Sequence, residues 1–115
     1  MSDLAELESA RSIAARIVAL DATRERPLGS NIGELNDVLF SLIMIATRLS
    51  RTSADARAVA PEIPFARIRA TRNLIVHEPD RVSVSRIETI VARDVPALVR
   101  DLDALIERLA VAAPD

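Results

Sequence analysis

The chain has 115 residues, of which 50% are hydrophobic and 28% are charged, a composition typical of one globular domain over residues 1–115. It contains no cysteine, which excludes disulfides, thiolate metal sites and a cysteine nucleophile. A single histidine, His77, argues against a histidine-rich zinc site, and we expect no metal or cofactor. With only two phenylalanines as aromatic residues, an RNA-binding surface that stacks several bases is not expected.

The charge is distributed unevenly along the chain. The net charge is -2, but residues 48–72 carry six arginines and two acids between acidic flanks. All 15 basic residues are arginine, whose planar guanidinium suits phosphate, and Arg69 in this segment is a predicted substrate-binding residue. The longest uncharged apolar stretch, Val38–Ala46, is far shorter than the ~20 residues that span a membrane. The acidic start lacks the basic region of a secretory signal, so we predict a cytoplasmic protein without membrane association.

The first half of the chain predicts two long helices. Abundant alanine, scarce glycine and apolar residues spaced by three and four favour helix. The first helix is predicted over about residues 3–20, because Asp3 and Glu6 have the spacing of a capping box. Its apolar stripe comprises Leu4, Leu7, Ala14, Ile17 and Val18. After a polar loop, Asn31 is the predicted cap of a second helix over about residues 32–50.

The second helix has apolar residues on two faces. One stripe is typical of a core-facing helix and comprises Leu35, Val38, Leu39, Leu42, Ala46 and Leu49. Phe40 and Met44 form a second stripe on another face. Such a helix is either central in a bundle or shared with a partner subunit, and the sequence leaves both readings open.

Prolines delimit the helices of the second half. A short helical turn ends before Pro61, and a long helix starts at Pro64 and is stopped by Pro79. The last helix is predicted over about residues 83–112, with a kink or a restart near Pro96 capped by Asp94. The predicted fold class is therefore all-α: an antiparallel bundle of four long helices plus a short helix.

The residues best suited to chemistry are Arg72 and His77, at the end of the basic segment. An imidazole titrates near neutral pH and transfers protons, and a guanidinium neutralises charge on a phosphate. The pair suits cleavage of RNA, in which a 2′-hydroxyl attacks the adjacent phosphate. Five residues on an ideal helix rotate the side chains about 140° apart, so convergence within one chain requires His77 to leave the helix before Pro79.

Cleavage of RNA by acid–base chemistry uses one proton acceptor and one donor, but this chain has one imidazole. A two-fold dimer supplies a second His77 and a second Arg72 to one cleft. The chemistry therefore predicts a homodimer with both motifs at the interface. The alternative reading of His77 is an exposed residue that compensates the helix dipole.

The longest motif extends through this pair. The run PEIPFARIRATRNLIVH, followed after a turn by VSVSRIETIVARDVPALVRDL, resembles the HepT-like branch of the HEPN superfamily. The matching pieces are residues 61–65, Arg72-Asn73, Val76-His77 and residues 94–98. The resemblance covers about residues 4–109, and its most specific part is residues 61–98.

The resemblance implies a homodimeric, metal-independent endoribonuclease, typically the toxin of a toxin–antitoxin pair with RNA as substrate. The usual antitoxin is a minimal nucleotidyltransferase. By the same resemblance, Arg72 holds the phosphate, Asn73 is the polar residue that follows it and binds substrate, and His77 is the general acid or base.

Three positions depart from the family pattern. Pro79 stands where members usually carry the tyrosine that the nucleotidyltransferase modifies with AMP, so AMP transfer to that position is chemically impossible here. Glu78 replaces a glycine beside the histidine, and Met44 lies where the second helix often bears a glutamate. These departures motivate a second hypothesis, a non-catalytic dimeric module that binds a nucleotidyltransferase or a nucleotide. A third is a helical assembly protein without a small ligand.

Overall fold

The structure, a computed structural model, describes residues 2–112, and all regular secondary structure in that range is helical. The helices are α1 (Asp3–Ala22), α2 (Ile32–Ser50), α3 (Ala54–Ala58), α4 (Phe65–His77), α5 (Val84–Thr89) and α6 (Val95–Ala112). A π-helical segment, Ile90–Asp94, joins α5 to α6, so these three pieces form one long element. Four long helical elements and the short α3 confirm the predicted all-α bundle.

The core lies where α1 packs against α2 and α6, with α4 on α2. The predicted stripes supply most of it, and the largest side chains in it that solvent barely reaches are Leu7, Ile45, Leu49, Ile87, Leu102 and Leu105. Removal of each such aliphatic side chain from water contributes about 1.5–3 kcal/mol to the stability of the fold. The buried stripes therefore hold the helices together.

Helix α1 does not start with the predicted capping box. Ser2 is the cap, and its hydroxyl accepts a hydrogen bond from the backbone N–H of Ala5. Asp3 instead accepts two hydrogen bonds from Ser53, one from its N–H at 2.8 Å and one from its hydroxyl at 2.7 Å. Glu6 is only 1% exposed and points inward. The capping-box prediction was wrong because a carboxylate at either position finds a partner on another part of the chain.

The Asp3–Ser53 contact predicts a pH dependence of stability. The hydroxyl of Ser53, followed by its backbone N–H, holds the pKa of Asp3 below its ordinary value of 3.8. A lowered pKa in the folded state stabilises the protein above the ordinary pKa, and this contribution is lost as the pH falls through the folded value. We expect Asp3→Asn to lower the urea midpoint at pH 7. The difference from the parent should shrink below about pH 4; a difference that is constant down to pH 2 would contradict the contact.

Helix α2 begins as predicted, because the side chain of Asn31 accepts a hydrogen bond from the N–H of Glu34. Its main stripe is buried or half-buried. Phe40 is 64% exposed and Met44 is half-buried, so the second stripe does not make α2 a helix enclosed on all sides within one chain. Sharing of this face with a partner subunit stays a prediction.

Pro96 disturbs the last long element in an unexpected way. The chain does not restart with a cap at Asp94, which lies within the π-helical segment Ile90–Asp94. Proline has no N–H to donate and its ring crowds the preceding turn, so the widened turn before it lets the helix continue. Helix α6 then runs to Ala112 without a break.

Candidate functional site

Helix α4 carries the four residues predicted to act on substrate. It starts immediately after Pro64 and ends at His77, two residues before Pro79. Ile75 is its fully buried residue and anchors the helix against the core. The arginine-rich part of α4 is thus fixed on α2 while its other faces stay accessible.

Arg72 and His77 do not converge within one chain. His77 is the last residue of α4, and the backbone leaves helical geometry only at Glu78, with φ -137° and ψ 57°. The proline restricts the residue directly before it, so the break falls one position too late to reorient His77. Arg72 is half-buried and His77 is exposed on a different face. The two side chains leave the helix about 140° apart.

The other two predicted residues are both exposed. Asn73 accepts a hydrogen bond through Oδ1 from Nη1 of Arg72, at 3.0 Å. This contact constrains the guanidinium and leaves its remaining N–H groups available. Arg69 lies one turn earlier on the outer face of α4.

Arg72 lines a cleft of about 590 Å³, which is within the usual range for ligand sites. One wall is α4, the other is formed by α5, the π-helical segment and α6, and Leu42 and Ile45 of α2 contribute apolar surface. We call this the α4–α6 cleft. Of the four predicted site residues, only Arg72 borders it.

The cleft contains two further arginines that the sequence did not single out. Arg67 lies on α4 and Arg86 comes from α5 across the cleft. Arg67 belongs to the basic segment, a signal that was available, whereas Arg86 follows in an electrically balanced stretch. Across residues 2–112, none of the three arginines of the cleft forms an ion pair with an acidic side chain.

Acidic side chains also border the cleft: Glu62, Asp94 and Asp101. Glu62 is paired with Arg108 at 2.5 Å. A hydrogen bond from its own backbone N–H, followed by the one from Arg108, holds the pKa of Glu62 below its ordinary range. Glu62 therefore stays negative at neutral pH, and the cleft has both positive and negative walls.

The departure at Glu78 is moderated by its neighbour. Arg81 lies 3.1 Å from the Glu78 carboxylate in the single helical turn that follows α4. Both side chains are more than half exposed, so the pair is weak, but it offsets part of the negative charge beside His77.

A comparison with protein families matches residues 36–105, more than half of the chain, to the family described as Ribonuclease HepT-like. The chain belongs to this family. The match runs from α2 into α6 and includes Arg72, His77 and the whole α4–α6 cleft. Searches of curated proteins and of solved structures gave no significant match.

In the part described, residues 2–112, no group of three or more histidine or acidic side chains is arranged to hold a metal ion. None of the helices in the same range is long and apolar enough to cross a membrane.

Proposed function

We propose that this chain is a metal-independent endoribonuclease, the toxin of a toxin–antitoxin pair, which works as a homodimer. The observation that carries the proposal is a half-buried Arg72 on a cleft wall, with no acidic partner among residues 2–112, in a chain of the HepT-like ribonuclease family. An arginine on a cleft wall that forms no ion pair is suited to binding a phosphate.

Arg72 binds the phosphate at which the RNA is cut. Its contact with Asn73 holds the guanidinium in place, and the remaining donors stabilise the negative charge that develops on the phosphate. His77 accepts the proton of the attacking 2′-hydroxyl or donates one to the leaving 5′-oxygen. The products are a 2′,3′-cyclic phosphate and a free 5′-hydroxyl.

A second copy completes the site. Within one chain His77 points about 140° away from Arg72 on the helix, so one copy does not bring both to one phosphate. A two-fold dimer that adjoins the two α4 helices brings both copies of Arg72 and His77 into one cleft. One imidazole then serves as base and the other as acid. The exposed Phe40 on α2 is a further surface that a second copy covers in this proposal, and a polar substitution there should weaken the dimer.

Heterodimers test whether the site is shared. The parent chain and His77→Ala are co-expressed with different tags, and the mixed dimer is purified through both. If each chain acts alone, the mixed dimer keeps half of the parental rate on RNA in the presence of EDTA. If both imidazoles are needed in one cleft, the rate of the mixed dimer falls far below half of the parental rate. Sedimentation of the parent as a monomer at micromolar concentration contradicts the proposal.

The neutralising partner in this proposal is a minimal nucleotidyltransferase that does not act through AMP transfer to position 79, because Pro79 has no hydroxyl. We expect co-purification of the two proteins as a complex. If mass spectrometry instead shows that the partner adds one or more AMP groups to this protein, the modified residue is another hydroxyl and not position 79.

A second candidate function is the non-catalytic dimeric module that binds a nucleotidyltransferase or a nucleotide. His77 does not line the α4–α6 cleft, which favours this module, because a binding module needs no imidazole near Arg72. RNA that stays intact with the parent protein, together with retained binding of the partner, supports this module. A cyclic phosphate product formed by the parent and absent with His77→Ala excludes it.

A further inference from the structure

The α4–α6 cleft carries three arginines that the catalytic proposal uses only in part. Arg72 is assigned to the phosphate that is cut, whereas Arg67 and Arg86 have no role in that step. All three lack an acidic partner within residues 2–112, although the same cleft contains carboxylates. Among the described residues, these three unpaired arginines outnumber the two unpaired carboxylates that border the cleft, Asp94 and Asp101, so the cleft has an excess of positive charge that attracts a ligand with several negative charges.

The two ends of the cleft differ in charge. The short connection over residues 78–83 places the end of α4 beside the start of α5, so Arg72 and Arg86 lie toward the same end. The contact between Glu62 and Arg108 places the beginning of α4 beside the later part of α6. The opposite end of the cleft is therefore bordered by Glu62, by Asp101 and by Arg67, which lies in the first turn of α4.

We infer that the α4–α6 cleft is a binding track for a single strand of RNA, in which Arg86 and Arg67 hold phosphates next to the one bound by Arg72. The inference rests on the proposed ribonuclease function and extends it to residues outside the arginine–histidine motif. Arg67 and Arg72 are five residues apart on α4, so they lie about 7.5 Å apart along the helix axis and leave it about 140° apart. Both side chains nevertheless border the cleft, so each is placed to hold a different phosphate of one strand.

The shape and lining of the cleft favour a single strand over a duplex. A cleft of about 590 Å³ between neighbouring helices has the size of a small-ligand site, so we expect it to hold part of one strand and not the two strands of a duplex. Its lining is largely apolar, as at Ile68 and Ile90, with Thr71 and Thr89 as uncharged polar residues. Because contacts to phosphate position a strand without reading its bases, we expect the track to bind with little sequence preference. The carboxylate of Asp101 repels phosphate and limits how far the strand extends past Arg67.

Binding is measured by fluorescence anisotropy with a labelled 2′-O-methyl RNA 12-mer, which lacks the attacking hydroxyl and is not cut. We expect Arg86→Ala and Arg67→Ala each to weaken binding several-fold. Each should also reduce the slope of log affinity against log salt concentration by about 0.7, the value for one lost phosphate contact on a single strand. Asp101→Asn should strengthen binding, because it removes a repelling charge.

Arg100→Ala is the matched control, since Arg100 is an exposed arginine of α6 that does not border the cleft. Equal losses for Arg100→Ala and Arg86→Ala overturn the track, because they indicate attraction to net charge alone. Weaker binding by Asp101→Asn, with loss of dimers in sedimentation, also overturns it and identifies the cleft as an interface between copies. A parent protein that binds the 12-mer with the expected pattern but leaves RNA intact keeps the track and removes the ribonuclease proposal.

Discussion

Replacement of His77 by alanine is expected to reduce RNA cleavage by about 100-fold to 10,000-fold, the usual contribution of a positioned acid or base. The loss should fall on the rate of the chemical step, because in this proposal the arginines of the α4–α6 cleft hold the strand and the imidazole transfers the protons. Cleavage is followed with a labelled RNA in EDTA, and the 2′,3′-cyclic phosphate is identified by mass spectrometry.

The matched control is Asp80→Asn, a change at another exposed residue just beyond the end of α4. It should leave cleavage within about twofold of the parent, as expected for a surface substitution away from the reacting groups. Thermal unfolding of His77→Ala should match that of the parent, since an exposed side chain contributes little to packing. If His77→Ala cuts RNA as fast as the parent, the imidazole takes no part in the reaction.

Arg48→Met is expected to destabilise the fold by about 3 kcal/mol. Glu6 on α1 is 1% exposed, and its nearest counter-charge is Nη1 of Arg48 on α2, at 3.6 Å. Neither carboxylate oxygen of Glu6 has a hydrogen-bond partner in the part of the chain that the structure describes. Removal of the arginine leaves a buried carboxylate without compensation, which costs far more than an exposed pair does.

The double variant Glu6→Leu/Arg48→Met separates this cost from loss of packing. An apolar pair of similar size removes both buried charges, so its stability should return to the parental value or exceed it. Urea unfolding at pH 7 measures the free energy of unfolding of all four proteins of the cycle. If Arg48→Met is as stable as the parent, or if the double variant is less stable than Arg48→Met, the buried pair is not what sets the stability at these two positions.

The helices were predictable because their signals are local. Asn31 and Ser53 cap α2 and α3, as their side-chain hydrogen bonds to the backbone show. Pro79 stops α4, and the three- and four-residue apolar spacing identified the core faces. A local signal gives the wrong detail where two local structures are compatible with it. A proline within a helix is compatible with a new, capped helix or with a widened turn, and the structure has the widened turn before Pro96.

The sequence by itself determined the helical class, most helix boundaries, the core stripes and the arginine–histidine motif, because these depend on residues a few positions apart. Only the tertiary structure decided which charges meet. It placed Arg86 with Arg72 and Arg67 around one cleft, paired the buried Glu6 with Arg48, and kept His77 on another face of α4. Such placements depend on how separate helices pack, and packing follows from apolar faces that carry no information about the charged residues beside them.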